Sequence, residues 1–203
     1  NTTDFTPNLN DGDLHLVFTN GKCPDKISSN DLIVIHNFMD EKINYLEQIM
    51  NEVKEIKNGE IFKLWHGDSH SIADDKGYDW KKECPTFNKI IDYISNFFNM
   101  DIKATRLNYY KDSNDWKPYH HDAAALKPNK AKTQNFTVAV QFGLTRTVSL
   151  QHPKHSTIID FEISNGQCYA FSDQTNIDWK HGIKQEKMFK NEPRLSIIAW
   201  GKI

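Results

Sequence analysis

The stretch Ala104-Thr-Arg-Leu-Asn-Tyr-Tyr110 marks the point at which the chain changes character. Ahead of it, apolar residues recur every three or four positions. From it onward they fall into short β-branched and aromatic runs, over 104–110, 136–142, 145–150, 157–161, 167–171 and 194–200. Turn signals such as Asn165-Gly166 separate these runs. Six strands at this spacing after two helices predict an α+β fold. Its body is an antiparallel barrel or jelly roll, covered on one face by the early helices.

Working back from residue 104, a helix is expected after Pro85 with Phe87, Ile90, Ile91, Ile94 and Phe97 on one side. An earlier one is expected to start at Asp40 as N-cap, with Glu41 in its first turn. Its apolar face would be Ile43, Leu46, Met50, Val53 and Ile56, and Asn58-Gly59 would end it. Residues 32–36 read as a buried strand, 14–18 as a short strand in an otherwise loop-like opening, and 66–82 as an exposed polar loop. The expected organisation is one domain over 1–203. Residues 1–103 supply an N-terminal extension, helices and a substrate lid, and 104–203 form the catalytic β-helix core.

Composition narrows the class. The 203 residues are 38% hydrophobic, 12% aromatic and 26% charged, enough to bury a substantial core. No run approaches the ~20 apolar residues of a membrane span. Lys plus Arg number 25 against 27 acidic residues, so no global positive field announces a nucleic-acid partner. The three cysteines, Cys23, Cys84 and Cys168, are too dispersed for a disulfide frame or zinc knuckle. This favours a reducing, intracellular setting, whether cytoplasm or nucleus, and a monomer acting off the membrane.

Chemistry concentrates in four segments: Arg106-Leu-Asn108-Tyr-Tyr110, Trp116-Lys-Pro-Tyr-His120-His121-Asp122, His181-Gly-Ile and Pro193-Arg194-Leu-Ser196. Each alone is weak. Together they offer two imidazoles and one carboxylate on one face of a metal, leaving the open positions that non-haem Fe(II) oxygenases use for a bidentate co-substrate and O2. In His120-x-Asp122 strand alternation puts both side chains on one side, and His181 can come from a strand paired nearby. His121 should face the other way. Arg194, inward-facing on the last strand, needs an anion to offset its desolvation. The distal carboxylate of 2-oxoglutarate suits its planar fork, with Ser196 on the same face. Asn108 and Tyr110 share a face of their strand and can reach the same anion.

The order Asn108-x-Tyr110, His120-x-Asp122, His181, Arg194 resembles the AlkB-like family of Fe(II)- and 2-oxoglutarate-dependent dioxygenases, over roughly half the chain. The resemblance implies a double-stranded β-helix in which His120, Asp122 and His181 bind Fe(II). Asn108, Tyr110, Arg194 and Ser196 would bind 2-oxoglutarate. It further implies O2-dependent oxidative demethylation of N-alkylated nucleobases in DNA or RNA, presented single-stranded or flipped out. The chain departs from the family twice. Trp200 stands where a second Arg, six residues after the first, positions the metal-binding carboxylate and the substrate. Ala124 stands where some members read the alkylated base with an acidic residue.

Trp65, Tyr109, Trp116, Tyr119 and Trp179, with Lys111, Lys117, Lys127, Lys130 and Lys132, would supply stacking and phosphate contacts for such a substrate. The alternatives are a hydroxylase of a protein side chain or small metabolite, and a non-catalytic module that binds a metal or dicarboxylate. A second triplet, His66-Gly67-Asp68, with His70 nearby, lies ahead of the strands and reads as part of a lid. His152 and His155, beside a turn, are expected in solvent.

Overall fold

The computed structural model describes residues 14–56, 60–65, 69–76 and 78–203. The first part of the opening loop, the Asn58-Gly59 helix stop and the His66-Gly67-Asp68 triplet lie outside them. Among the described residues there are twelve strands. In chain order they are β1 (His15–Asn20), β2 (Asp31–His36), β3 (Lys63–Leu64), β4 (Ser71–Asp74), β5 (Asp101–Tyr110) and β6 (Lys117–His120). Then follow β7 (Phe136–Gly143), β8 (Arg146–Gln151), β9 (Ile158–Ile163), β10 (Cys168–Ser172), β11 (Lys180–Ile183) and β12 (Arg194–Lys202). Four helices interleave them: α1 (Tyr45–Glu55), α2 (Pro85–Phe98), α3 (Pro128–Ala131) and α4 (Asp173–Asp178).

The strands form two sheets, an eight-stranded one ordered β1-β2-β10-β7-β12-β5-β4-β3 and a four-stranded one ordered β6-β11-β8-β9. This is the double-stranded β-helix. Strand alternation gives the large sheet two apolar faces. Ile33, Val138, Val140, Leu195, Ile197 and Ala199 belong to one cluster with Ile49 and Val53 of α1 and Phe87, Ile90 and Ile94 of α2. Leu32, Val34, Ala139, Phe171 and Ile198 belong to a second cluster with Val148, Leu150 and Ile183 of the small sheet. The residues singled out on the last strand face that second layer, because period two sends Arg194, Ser196, Ile198 and Trp200 the opposite way from Leu195, Ile197 and Ala199.

Three local readings need correction. α1 is capped by Asn44, not Asp40: the Asn44 side chain accepts from the Glu47 N–H at 3.1 Å and donates to the Glu47 carboxylate at 3.1 Å. Asp40 instead accepts from the Lys42 N–H in the preceding turn. The helix therefore turns its core face to Tyr45, Ile49 and Val53, leaving Leu46 and Met50 half-buried. Residues 66–82 are not an exposed loop where described. They hold β4, which pairs with β5, and a short 3-10 turn at Trp80–Glu83, and they bury His70, Ile72, Ala73 and Trp80. His152 is buried against the edge of Trp179 at 5.0 Å and stacks on the exposed His155.

Candidate active site

His120 ends β6 and His181 lies on β11, and the two strands pair antiparallel with His181 directly opposite His120. Their rings are 4.2 Å apart. Gly182 permits this approach: a Cβ there would lie 2.5 Å from the Lys117 carbonyl oxygen. Asp122, two residues past His120, brings Oδ1 to 3.5 Å from Nε2 of each histidine. The three donor atoms lie within 4.8 Å of one another. A metal bonded at about 2.0–2.2 Å would draw them to roughly 3 Å apart, a small contraction.

The surroundings fix each donor. The Pro118 carbonyl accepts from His120 Nδ1 at 2.9 Å, which leaves the lone pair on Nε2, and that atom is buried with no hydrogen-bond partner. The other carboxylate oxygen of Asp122, Oδ2, accepts from Trp200 Nε1–H at 2.9 Å and from Thr137 Oγ1–H at 3.3 Å. The Asp122 N–H is held by the Asn176 side chain. Burial pushes the Asp122 carboxyl up, but His181 and His120 outweigh it and hold it well below the usual carboxylate range. Burial, with the charges of His181 and Lys117, lowers His120 to about 3. Asp122 and His120 are therefore deprotonated and one donor atom is orphaned, the state a divalent metal takes up.

Beyond the triad lies a pocket lined by Asn108, Tyr110, Lys117, Arg194, Ser196 and Trp200 among others. On β12 Arg194 pairs with Tyr110 of β5, and Ser196 with Asn108. The Arg194 guanidinium donates through Nε to Gln141 Oε1 at 2.6 Å and lies 4.7 Å over the Tyr110 ring. Its Nη1 is buried with no hydrogen-bond partner. The Asn108 amide donates to Ser196 Oγ at 3.2 Å and its oxygen faces His70 Nε2 at 3.1 Å. His70 stacks on Tyr110 at 4.6 Å, and burial lowers its pKa to about 2, so it is a neutral donor there. A second guanidinium, that of the fully buried Arg146, lies 5.7 Å over the Tyr110 ring and 3.5 Å from Glu186.

All seven residues singled out in the sequence thus meet in one layer, and His121 faces away, with Nδ1 on the Asn176 carbonyl. Gln141, Thr137 and His70 were missed. Gln141 had a signal, a polar residue in the apolar run of β7. Three of the residues expected to stack bases or meet phosphates are committed elsewhere, while Lys111, Lys127, Lys130 and Lys132 are exposed. Trp179 is core, the Tyr119 hydroxyl is bonded to Ser149, and Lys117 is buried in the pocket with its ammonium 5.0 Å over Trp65.

A double-stranded β-helix with two histidines and an aspartate at one end of its interior is the architecture reached so far. Among solved structures the chain is similar to a prolyl hydroxylase in complex with a hypoxia inducible factor oxygen degradation domain peptide fragment from Trichoplax adhaerens. That match has a TM-score of 0.56 at 12% identity and covers 84% of this chain and 83% of that one. No protein-family model matches the chain, and no curated protein matches it. Among the described residues no helix is long and apolar enough to cross a membrane.

Proposed function

We propose that the chain is an Fe(II)- and 2-oxoglutarate-dependent dioxygenase that hydroxylates a C–H bond in a protein side chain or a small molecule. The observation that carries this reading is the pairing of a vacant-sided His120/Asp122/His181 donor set with Arg194, whose Nη1 is buried without a partner in the same pocket. When bound, the iron and its co-substrate supply the chemistry in which 2-oxoglutarate and O2 become succinate and CO2 while one oxygen atom enters the C–H bond. The chain's own contribution is geometric. His120, Asp122 and His181 would hold the metal by one face. Arg194, with Ser196, Asn108 and Tyr110, would anchor the distal carboxylate, and Gln141 aims the guanidinium. Trp200 and Thr137 keep Asp122 Oδ2 occupied, so that Oδ1 is the oxygen left for the metal.

Hydroxylation is favoured over nucleobase demethylation. Trp179 and Lys117, two of the residues expected to stack bases and meet phosphates, are buried, while Lys111, Lys127, Lys130 and Lys132 are exposed, and the similar solved structure holds a peptide. The test is anaerobic addition of Fe(II) and 2-oxoglutarate, which should give a weak visible charge-transfer band that Asp122→Ala abolishes, followed by succinate formation in air. Absence of both from the wild-type protein overturns the enzyme reading and leaves a binding module. Formaldehyde release from methylated oligonucleotides would restore the demethylase.

A further inference from the structure

Lys117 does not belong to the set that the proposed chemistry uses, and it is the most unusual residue in the pocket. It lies on β6, three residues before His120, and is 7% exposed. Its ammonium packs over the half-buried Trp65 ring, which in turn sits edge-on to His120 at 5.0 Å. Among the described residues none of the hydrogen bonds or ion pairs involves the Lys117 side chain. Burial lowers its pKa to about 7; Asp122 attracts its charge, and Arg106 and Arg194 repel it.

The charges around the site leave it in surplus once the proposed ligands are in place. Asp122 and the two carboxylates of 2-oxoglutarate balance in number the divalent metal and Arg194. Arg106 has Asp122, Asp74 and Asp75 as electrostatic neighbours, of which Asp74 also pairs with Lys63 and Asp75 with Lys81, and Arg146 has Glu186. Among the described residues Lys117 has no bonded anion, and a buried ammonium without one is costly. An ammonium is also a compact point charge, suited to a carboxylate that arrives and leaves, in contrast to the fixed fork of Arg194.

We infer that Lys117 is the substrate-anchoring cation of this site, and that the molecule hydroxylated carries a carboxylate seated on Lys117 against the indole of Trp65. The inference rests on the dioxygenase reading and names its substrate class. That carboxylate can come from a free acid or from an acidic side chain in a peptide. Protein loaded with Zn(II) and 2-oxoglutarate, which binds without turnover, separates the sources. Saturation-transfer NMR is run with free aspartate and glutamate against asparagine and glutamine, and with the same four residues inside a hexapeptide.

The wild-type protein should bind the acids at least tenfold more tightly than their amides, in the free or the peptide arm according to the source. Lys117→Met, close in shape, should erase the preference while leaving 2-oxoglutarate affinity within threefold by calorimetry. Lys117→Arg should keep part of it. A wild-type protein that binds neither member of any pair or shows no preference overturns the inference, as does a preference that survives in Lys117→Met. If Lys117→Met instead weakens 2-oxoglutarate itself more than tenfold, the ammonium serves the co-substrate and the substrate assignment falls while the dioxygenase reading stands. Failure of the wild-type Zn(II) protein to bind 2-oxoglutarate at all strikes the dioxygenase reading.

Discussion

Arg194→Met separates what the guanidinium does for the fold from what it does for a ligand. In the fold the substitution removes a charge-assisted bond to Gln141 at 2.6 Å, about 1.5–3 kcal/mol, and a cation over Tyr110 at 4.7 Å, about 0.5–2 kcal/mol. It also removes a charge that is 1% exposed and carries an unpartnered Nη1, a desolvation penalty of several kcal/mol. These terms oppose each other, so the ligand-free protein should change by no more than about 2 kcal/mol. For binding nothing offsets the loss. Stripping one partner from a buried carboxylate pair costs about 2–5 kcal/mol, which is roughly 30-fold to several-thousand-fold in Kd. Thermal melts report both. With 2-oxoglutarate at 100 times the wild-type Kd, the ligand stabilises by about 2.7 kcal/mol, or about 5–11 °C for a chain of this size. A 30-fold weaker site leaves about 0.9 kcal/mol, near 2–4 °C, and a weaker one leaves nothing measurable. A ligand-induced shift in Arg194→Met equal to that of the wild type would remove Arg194 from the site.

Three further outcomes are expected. Trp200→Phe keeps the ring but takes the N–H from Asp122 Oδ2, and metal affinity should fall about 10- to 100-fold in a Co(II) absorbance titration, with the fold intact. The metal-free protein should be acid-labile because His70 and His120, at about 2 and about 3, stay neutral when folded but take up protons near 6.5 when unfolded. Their stabilisation is full above pH 6.5 and is lost as pH falls towards the folded values, about 1.4 kcal/mol per pH unit for each. Urea melts should therefore lose about 3 kcal/mol between pH 6.5 and pH 5, and His70→Gln should lose about half of that. Gly182→Ala puts a Cβ 2.5 Å from the Lys117 carbonyl, so β6 must move from β11 and metal binding should fail while most of the helix signal in circular dichroism remains.

The parts legible in the sequence are those governed by the period of a strand. β7, β8, β10 and β12 are long enough, and rich enough in Val, Ile, Phe and Thr, for alternation to assign both faces. Arg194 and Ser196 could be placed inward from that alone. What escaped is set by tertiary contact. Ser71-Ile-Ala-Asp74 is too short and polar to announce a strand, and becomes one because β5 offers it a free edge. Asp40 and Asn44 are both good caps, and which one starts the helix depends on the reciprocal bonds with Glu47. Lys117 and His70 belong to types usually exposed or half-exposed, so no pattern marks their burial.

Trp200 shows how a neutral donor can hold a buried carboxylate without adding charge beside it. An Arg at that position would both donate to Asp122 and add charge to the pocket. In this chain the two tasks are divided. The indole N–H of Trp200, a neutral donor with one bond to give, occupies Asp122 Oδ2. The guanidinium of Arg106, on the neighbouring strand opposite Ile198, lies 5.1 Å over the face of the same indole and contributes its charge from there. The carboxylate keeps one oxygen for the metal. The flat ring takes the space of a flexible cation, and Lys117 lies on the opposite sheet, three residues before His120. This wall of the pocket therefore combines an aromatic surface with the Lys117 side chain, a lining that the fold by itself does not dictate.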